Sequence, residues 1–154
     1  MTEITATVGW QRQEGEVFTD KKFSRGHHWS FDGGLTVRAS SSPAIVPRFS
    51  DPAGIDPEEA FVASLSSCHM LTFLWIAASR GFVVDSYRDE AQGTMTKNAK
   101  GKAFVSLVIL KPQIVFSGGK MPDSEELAAM HHGAHDECFI ANSVLTEVRW
   151  EPGA

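Results

Sequence analysis

Asp56-Pro57-Glu58-Glu59-Ala60-Phe61-Val62-Ala63-Ser64-Leu65-Ser66-Ser67-Cys68-His69-Met70-Leu71-Thr72-Phe73-Leu74-Trp75-Ile76-Ala77-Ala78-Ser79-Arg80-Gly81 is the stretch on which the fold turns. Its start is written in residue types. Asp56 is a good N-cap, Pro57 fits the first helical position, and Glu58 and Glu59 put negative charge at the positive end of the helix dipole. Glu59 stands three residues after Asp56, where a capping box places its acid. The helix is expected to run from Pro57 to Arg80, with Gly81 as the left-handed stop. Ala60 to Ser79 contains no Asp, Glu, Lys or Arg, and that length matches a membrane span. Ser64, Ser66, Ser67, Cys68, His69 and Ser79 nevertheless make it polar for lipid, charged residues flank it, and the chain has no second apolar run. It reads as a buried core helix in the middle of the structure, with no membrane partner.

Upstream of this helix, Ile4, Ala6, Val8 and Trp10 alternate as one face of a half-buried strand over residues 4–10. Gly15 marks a turn, and Val17-Phe18 opens a second strand. Asp32-Gly33-Gly34 is a strong turn signal, followed by a strand over Leu35–Ala39. The N-terminal third is thus a small antiparallel meander. Residues 40–56, with Pro43, Pro47, Pro52 and Gly54, form a 17-residue loop. Loops of that length often carry function.

Downstream, two long strands are expected over Val83–Lys97 and Lys102–Phe116, joined by the hairpin Asn98-Ala99-Lys100-Gly101. Gly118-Gly119 ends the pair. Asp123, with Glu126 three residues on, caps a second helix that should end near Glu137. Val144, Thr146, Val148 and Trp150 alternate in a last strand. The order describes one α+β domain over residues 1–154, with antiparallel sheets around a long central helix.

The chain has 154 residues, 42% of them hydrophobic, and a net charge of -5 from 14 basic and 19 acidic side chains. That is ordinary for a globular protein and unsuited to phosphate backbones, so nucleic acid is not an expected partner. The N-terminus lacks the basic and apolar segments of a secretory leader, which points to the cytoplasm. There, cysteines are seldom bridged for structure.

The two cysteines are the residues with chemistry to offer. Cys68 lies within the long helix and Cys138 at the C-terminal end of the second. Either could be a small buried hydrophobe. A structural bridge between them would close a loop of about 70 residues, worth roughly 4 kcal/mol, but the expected compartment argues against it. A metal reading also exists: His131 and His135 are four residues apart and Cys138 three further on, a ligand set zinc accepts. His131 and His132 point about 100° apart on a helix, and solvated histidines are the ordinary alternative. His69 also points away from Cys68 and reads as structural.

At this point the sequence resembles the osmotically inducible protein and organic hydroperoxide resistance (OsmC/Ohr) family. Asp56-Pro57-Glu58-Glu59-Ala60-Phe61 with Cys68 ten residues after Glu58, Arg48-Phe49 with Arg48 ten residues before Glu58, and Cys138 seventy residues beyond Cys68 carry the likeness. It extends over nearly the whole chain. The sequence departs from the pattern at Phe139, where members often have proline, which suggests a divergent subfamily. The resemblance implies an interlocked homodimer with active sites at its interface. It also implies a cysteine peroxidase: Cys68 attacks an organic hydroperoxide, Cys138 resolves the sulfenic acid as a disulfide, and Arg48 with Glu58 activates the thiol. Arg25 and Arg38 are the competing sources of that charge. No bound cofactor is implied. The reductant is an external dithiol, lipoyl dithiols being usual in the hydroperoxide resistance branch. A non-catalytic redox-sensing or small-molecule-binding protein of the same fold is the alternative. Phe61, Met70 and Phe73 are candidate pocket walls.

These roles make physical demands. A thiolate is the nucleophile, and a mid-helix cysteine has no helix N-terminus to help it, so attack needs a nearby cation. Ten residues of helix span about 15 Å. A continuous helix therefore keeps Glu58 from Cys68 of its own chain and assigns it to Cys68 of the partner subunit. Cys138, at a helix C-terminus beside Asp136 and Glu137, should be held as a thiol, which suits a resolving role.

Overall fold

The computed structural model describes residues 1–151, which fall into two compact units, Met1–Ala60 and the described residues from Phe61 onward. The division falls within the first turn of the long helix.

The first unit is an antiparallel meander, as expected, but its middle strand lies at His27–Phe31, a stretch to which the sequence assigned no strand. Strands β1 (Ala6–Gly9), β2 (His27–Phe31) and β3 (Thr36–Ala39) pair antiparallel in that order, with Val8 opposite Trp29 and Trp29 opposite Val37. The Asp32–Gly34 turn closes as the amide of Gly34 donates to the Phe31 carbonyl, with Gly34 at φ 83°. Two expectations are corrected here. All four residues of β1 are exposed, so the strand is not half-buried within one chain. Phe18 opens a 3-10 turn, Phe18–Asp20, rather than a strand. Its ring stacks on Phe23 at 4.6 Å, and Trp10 meets Phe23 edge-on at 5.4 Å. Aromatic contact inside a short segment outweighs strand propensity there. The loop over 40–56 holds no strand. It is tied down by Ser40, whose hydroxyl accepts from the Asp51 amide at 2.8 Å, and by backbone bonds linking Ile55 to Arg38 and Ser40.

Helix α1 runs Pro57–Ser79 without a break. Its capping box is formed: the Asp56 carboxylate accepts from the Glu59 amide at 2.8 Å, and Glu59 returns the bond at 3.2 Å. Gly81, at φ 80°, ends it, and the Phe82 amide closes back on the Ala77 carbonyl. That is the geometry for which glycine is used. By length and composition α1 could cross a membrane. Instead Leu65, His69, Phe73 and Ala77 form a buried stripe at four-residue spacing. The other side is left open within one chain: Leu71 is 61% and Trp75 71% exposed.

The long hairpin is bent into two ladders. Strands β4 (Val83–Asp89) and β7 (Pro112–Ser117) pair antiparallel, as do β5 (Gln92–Lys97) and β6 (Ala103–Leu110). Each ladder carries one register shift, between Val84 and Ser86 and between Thr94 and Met95. At the bend the Asp89 carboxylate accepts from the Lys111 amide at 2.6 Å and from the Ser66 hydroxyl of α1. Asn98 caps the hairpin turn by accepting from the Lys100 and Lys102 amides. Helix α2 (Ser124–Glu137) starts in the expected Asp123–Glu126 capping box and ends at Cys138. The final strand, β8 (Glu147–Trp150), lies parallel to β6, with Leu110 opposite Trp150. The sheets are therefore antiparallel except for this pair, because α2 carries the chain back to run the last strand in the direction of β6.

Two apolar clusters flank α1. One gathers Phe73, Ala77, Phe82, Met130 and Ala134. The other gathers Leu65, Val108 and Leu110, with Phe61, Ile140 and Trp150 against it. Phe73 is thus a core residue, and Phe61 packs, partly buried, against the second cluster.

Candidate active site

Cys68 lies on α1, partly buried, and Cys138 is fully buried at the C-cap of α2. Both are free thiols. The two are neighbours. Burial is the largest cause pushing the Cys138 thiol up to about 11, and a side-chain hydrogen bond with Cys68 is the next. The amides of Ala141 and Ile140 pull the other way, Ala141 donating to Sγ at 3.4 Å. The direction agrees with the sequence expectation, but the cause differs. Desolvation and the neighbouring sulfur hold Cys138 as a thiol; Asp136 and Glu137 do not.

A residue with no role in the sequence reading fixes the Cys138 backbone. The Asn142 side chain donates to the carbonyls of Asp136 at 2.8 Å and Cys138 at 3.1 Å. It satisfies carbonyls that a helix end leaves open. An Asn just past an expected helix terminus is the signal that could have found it.

The four sequence-predicted site residues are not all brought together. Cys68 lies near enough to Cys138 to raise its pKa. Arg48 sits exposed in a turn of the 40–56 loop, and Glu58 lies part-buried in the first turn of α1. No ion pair joins them among the described residues, where the pairs are Arg38–Asp51, Arg88–Glu90 and Arg149–Glu147. The two competing arginines are engaged elsewhere. Arg38 Nε reaches Asp51 at 2.5 Å. Arg25 lies 3.7 Å over the Phe23 ring and donates to the Lys21 carbonyl at 3.0 Å.

The histidines give a different result from either sequence reading. His131 is buried, not solvated, and its Nδ1 lies 3.0 Å from Nε2 of buried His69. The rings of His131 and Trp150 stack at 4.5 Å. His131 is thus committed to α1 and β8. Among the described residues no group of three or more His, Cys, Asp and Glu is placed to hold a metal ion, so the His131, His135 and Cys138 set does not form a zinc site.

A family model described as OsmC-like protein matches residues 50–152. The chain belongs to the OsmC family. An OsmC-like protein of unknown function from Vibrio cholerae O1 biovar eltor is 55% identical and superposes with a TM-score of 0.97, over 99% of both chains. The same OsmC fold, at lower identity, is found in two proteins named for organic hydroperoxide resistance. The one from Elizabethkingia anophelis is 18% identical with a TM-score of 0.71, covering 99% of this chain and 96% of its own. The one from Legionella pneumophila is 15% identical with a TM-score of 0.69, over the full length of both. Among curated proteins none matches this OsmC-family chain.

Proposed function

We propose that this OsmC-family chain is a cysteine-based peroxidase that reduces organic hydroperoxides. The adjacency of Cys68 and Cys138, two thiols seventy residues apart in sequence, is the observation that supports it. Cys68 is the more accessible of the two and is the attacking group. Its thiolate takes the distal oxygen of ROOH, becoming the sulfenic acid as the O–O bond breaks, and the alkoxide takes up a proton to leave as ROH. The Cys138 thiol then condenses with the sulfenic acid: the S–S bond forms and its proton departs with the hydroxyl as water. An external dithiol, with a lipoyl dithiol as the proposed physiological form, reduces the disulfide and resets the site in the cytoplasm. The substrate class follows the structural relatives named for organic hydroperoxide resistance.

The cation for Cys68 is assigned to Arg48, with Glu58 as the carboxylate that would pair with it on assembly of the dimer. Because α1 is continuous from Pro57 to Ser79, ten residues separate Glu58 from Cys68 by about 15 Å of helix rise. The pair is therefore assigned to Cys68 of the partner subunit in a homodimer. The open face of α1, with Leu71 and Trp75 exposed, supports a second copy as its cover.

Steady-state reduction of cumene hydroperoxide with dihydrolipoamide tests the reading. Turnover is expected, Cys68→Ser should lose at least a hundredfold, and Cys138→Ser should complete one reaction and accumulate sulfenic acid. If excess peroxide leaves both thiols of the wild-type protein intact, the function is not peroxide reduction.

A further inference from the structure

A few side-chain contacts join α1 to α2 and its C-cap. Cys68 lies near enough to Cys138 to raise its pKa, His69 Nε2 lies 3.0 Å from His131 Nδ1, Phe73 lies 4.5 Å from the His131 ring, and Ile76 approaches Gly133. A Cβ on Gly133 would stand 3.2 Å from the Ile76 methyl, so the glycine permits the close approach. Most of this interface is apolar, with Phe73, Ala77, Met130 and Ala134 buried. Apolar packing tolerates small slides, because dispersion and burial have little directional preference. The His69–His131 contact is different. It is directional, 3.0 Å long and 98% withdrawn from solvent on both sides. Breaking it strands a buried polar nitrogen, which costs far more than shifting a methyl group.

Its location ties it to the sulfurs. His69 directly follows Cys68 on α1. His131 precedes Cys138 by seven residues, two turns of α2, and so lies on the same face. A slip of one helix against the other that separated the histidines would separate the sulfurs by a similar amount. Around the pair, His135 and Asp89 face His69, His132 faces His131, and Trp150 stacks on His131.

We infer that the His69–His131 hydrogen bond is a positioning device that sets the α1–α2 register and holds Cys138 within bonding reach of Cys68. Neither histidine touches substrate or the reacting atoms. The inference rests on Cys68 and Cys138 being the working pair of the proposed function.

The experiment measures the dithiol–disulfide equilibrium of the full-length protein against dithiothreitol. Two electrons and two thiol hydrogens pass between Cys68–Cys138 and the reagent, so no peroxide is required. The equilibrium constant reports the effective concentration of one sulfur at the other. His131→Phe keeps a ring between Phe73 and Trp150 but removes the hydrogen bond. It should lower the effective concentration at least tenfold, a rise in potential of about 30 mV. His131→Asn places an amide near the position of Nδ1 and should recover most of the loss. Should His131→Phe fail to fold, the double variant His69→Leu/His131→Phe leaves no stranded nitrogen and should show the same tenfold loss. A wild-type constant in His131→Phe or in the double variant overturns the inference, and so does a loss that His131→Asn does not repair. Cumene hydroperoxide consumption is scored separately. Thiols that equilibrate with dithiothreitol as expected but ignore peroxide would remove the peroxidase reading and leave the positioning role standing.

Discussion

Cys138 combines three influences on one sulfur: burial and the Cys68 contact raise its pKa, and the Ala141 and Ile140 amides oppose them less strongly. A thiol held at about 11 is a poor nucleophile toward outside reagents at neutral pH. It can still condense with a sulfenic acid beside it, because its proton leaves with the departing hydroxyl. Alkylation of Cys138 by iodoacetamide in the Cys68→Ser variant should therefore be slow at pH 8 and accelerate steeply toward pH 10. Comparable labelling at both pH values would show that the raising influences are absent. Asn142 belongs to the same scale: its two bonds to the end of α2 hold the backbone from which Sγ projects.

At the scale of elements, both helices begin in capping boxes that local sequence announces. Asp123 and Asp56 each accept from the amide three residues on at 2.8 Å. The Asp123 cap lies at the opposite end of α2 from Cys138. Asp123→Ala should cost about 1 kcal/mol, seen as a fall of roughly 2–4 °C in Tm, and leave the dithiothreitol equilibrium of the cysteines unchanged. A coupled loss of both would mean that α2 moves as a rigid lever on its cap. The bend of the hairpin is another element-scale device. Asp89 joins the Ser66 hydroxyl of α1 to the Lys111 amide between β6 and β7. The sequence shows two continuous strands there because alternation carries no mark of where a ladder changes sheet.

For the whole molecule, the buried histidines make folding depend on pH. His69 and His131 are each lowered from 6.5 to about 4, by burial first and then by neighbouring imidazoles. Asp89 works against this at His69. The neutral rings are favoured in the folded chain, so below pH 6.5 the unfolded chain binds more protons. Stability should be full above about pH 6.5 and fall as pH drops from 6.5 toward 4. Urea midpoints at pH 7.5 and 4.5 measure it, and His69→Leu/His131→Phe should show a shallower dependence than wild type. An identical slope would mean that other groups set the acid sensitivity. The proposed dimer also belongs to this scale. Trp75, 71% exposed on α1, is expected at the interface, and Trp75→Glu should convert a dimer to a monomer in sedimentation at micromolar concentration. A wild-type chain that sediments as a monomer would remove the interface and with it the assignment of Arg48 and Glu58 to the partner's site.

What residue types alone determined here is local: where α1 and α2 begin, that Gly81 stops α1, and that Asn98–Gly101 and Asp32–Gly34 turn. Caps and turns are decided within a few residues, where steric and hydrogen-bonding preferences are strong enough to be read one at a time. Tertiary structure decided the remainder: that β8 runs parallel to β6, that β1 stays exposed, that His131 is buried against His69 rather than solvated, and that Cys138 owes its raised pKa to desolvation and Cys68. Each of those depends on which distant segments share a water-free space. Desolvation is a property of the whole enclosure around an atom, and no window of sequence contains the far side of that enclosure.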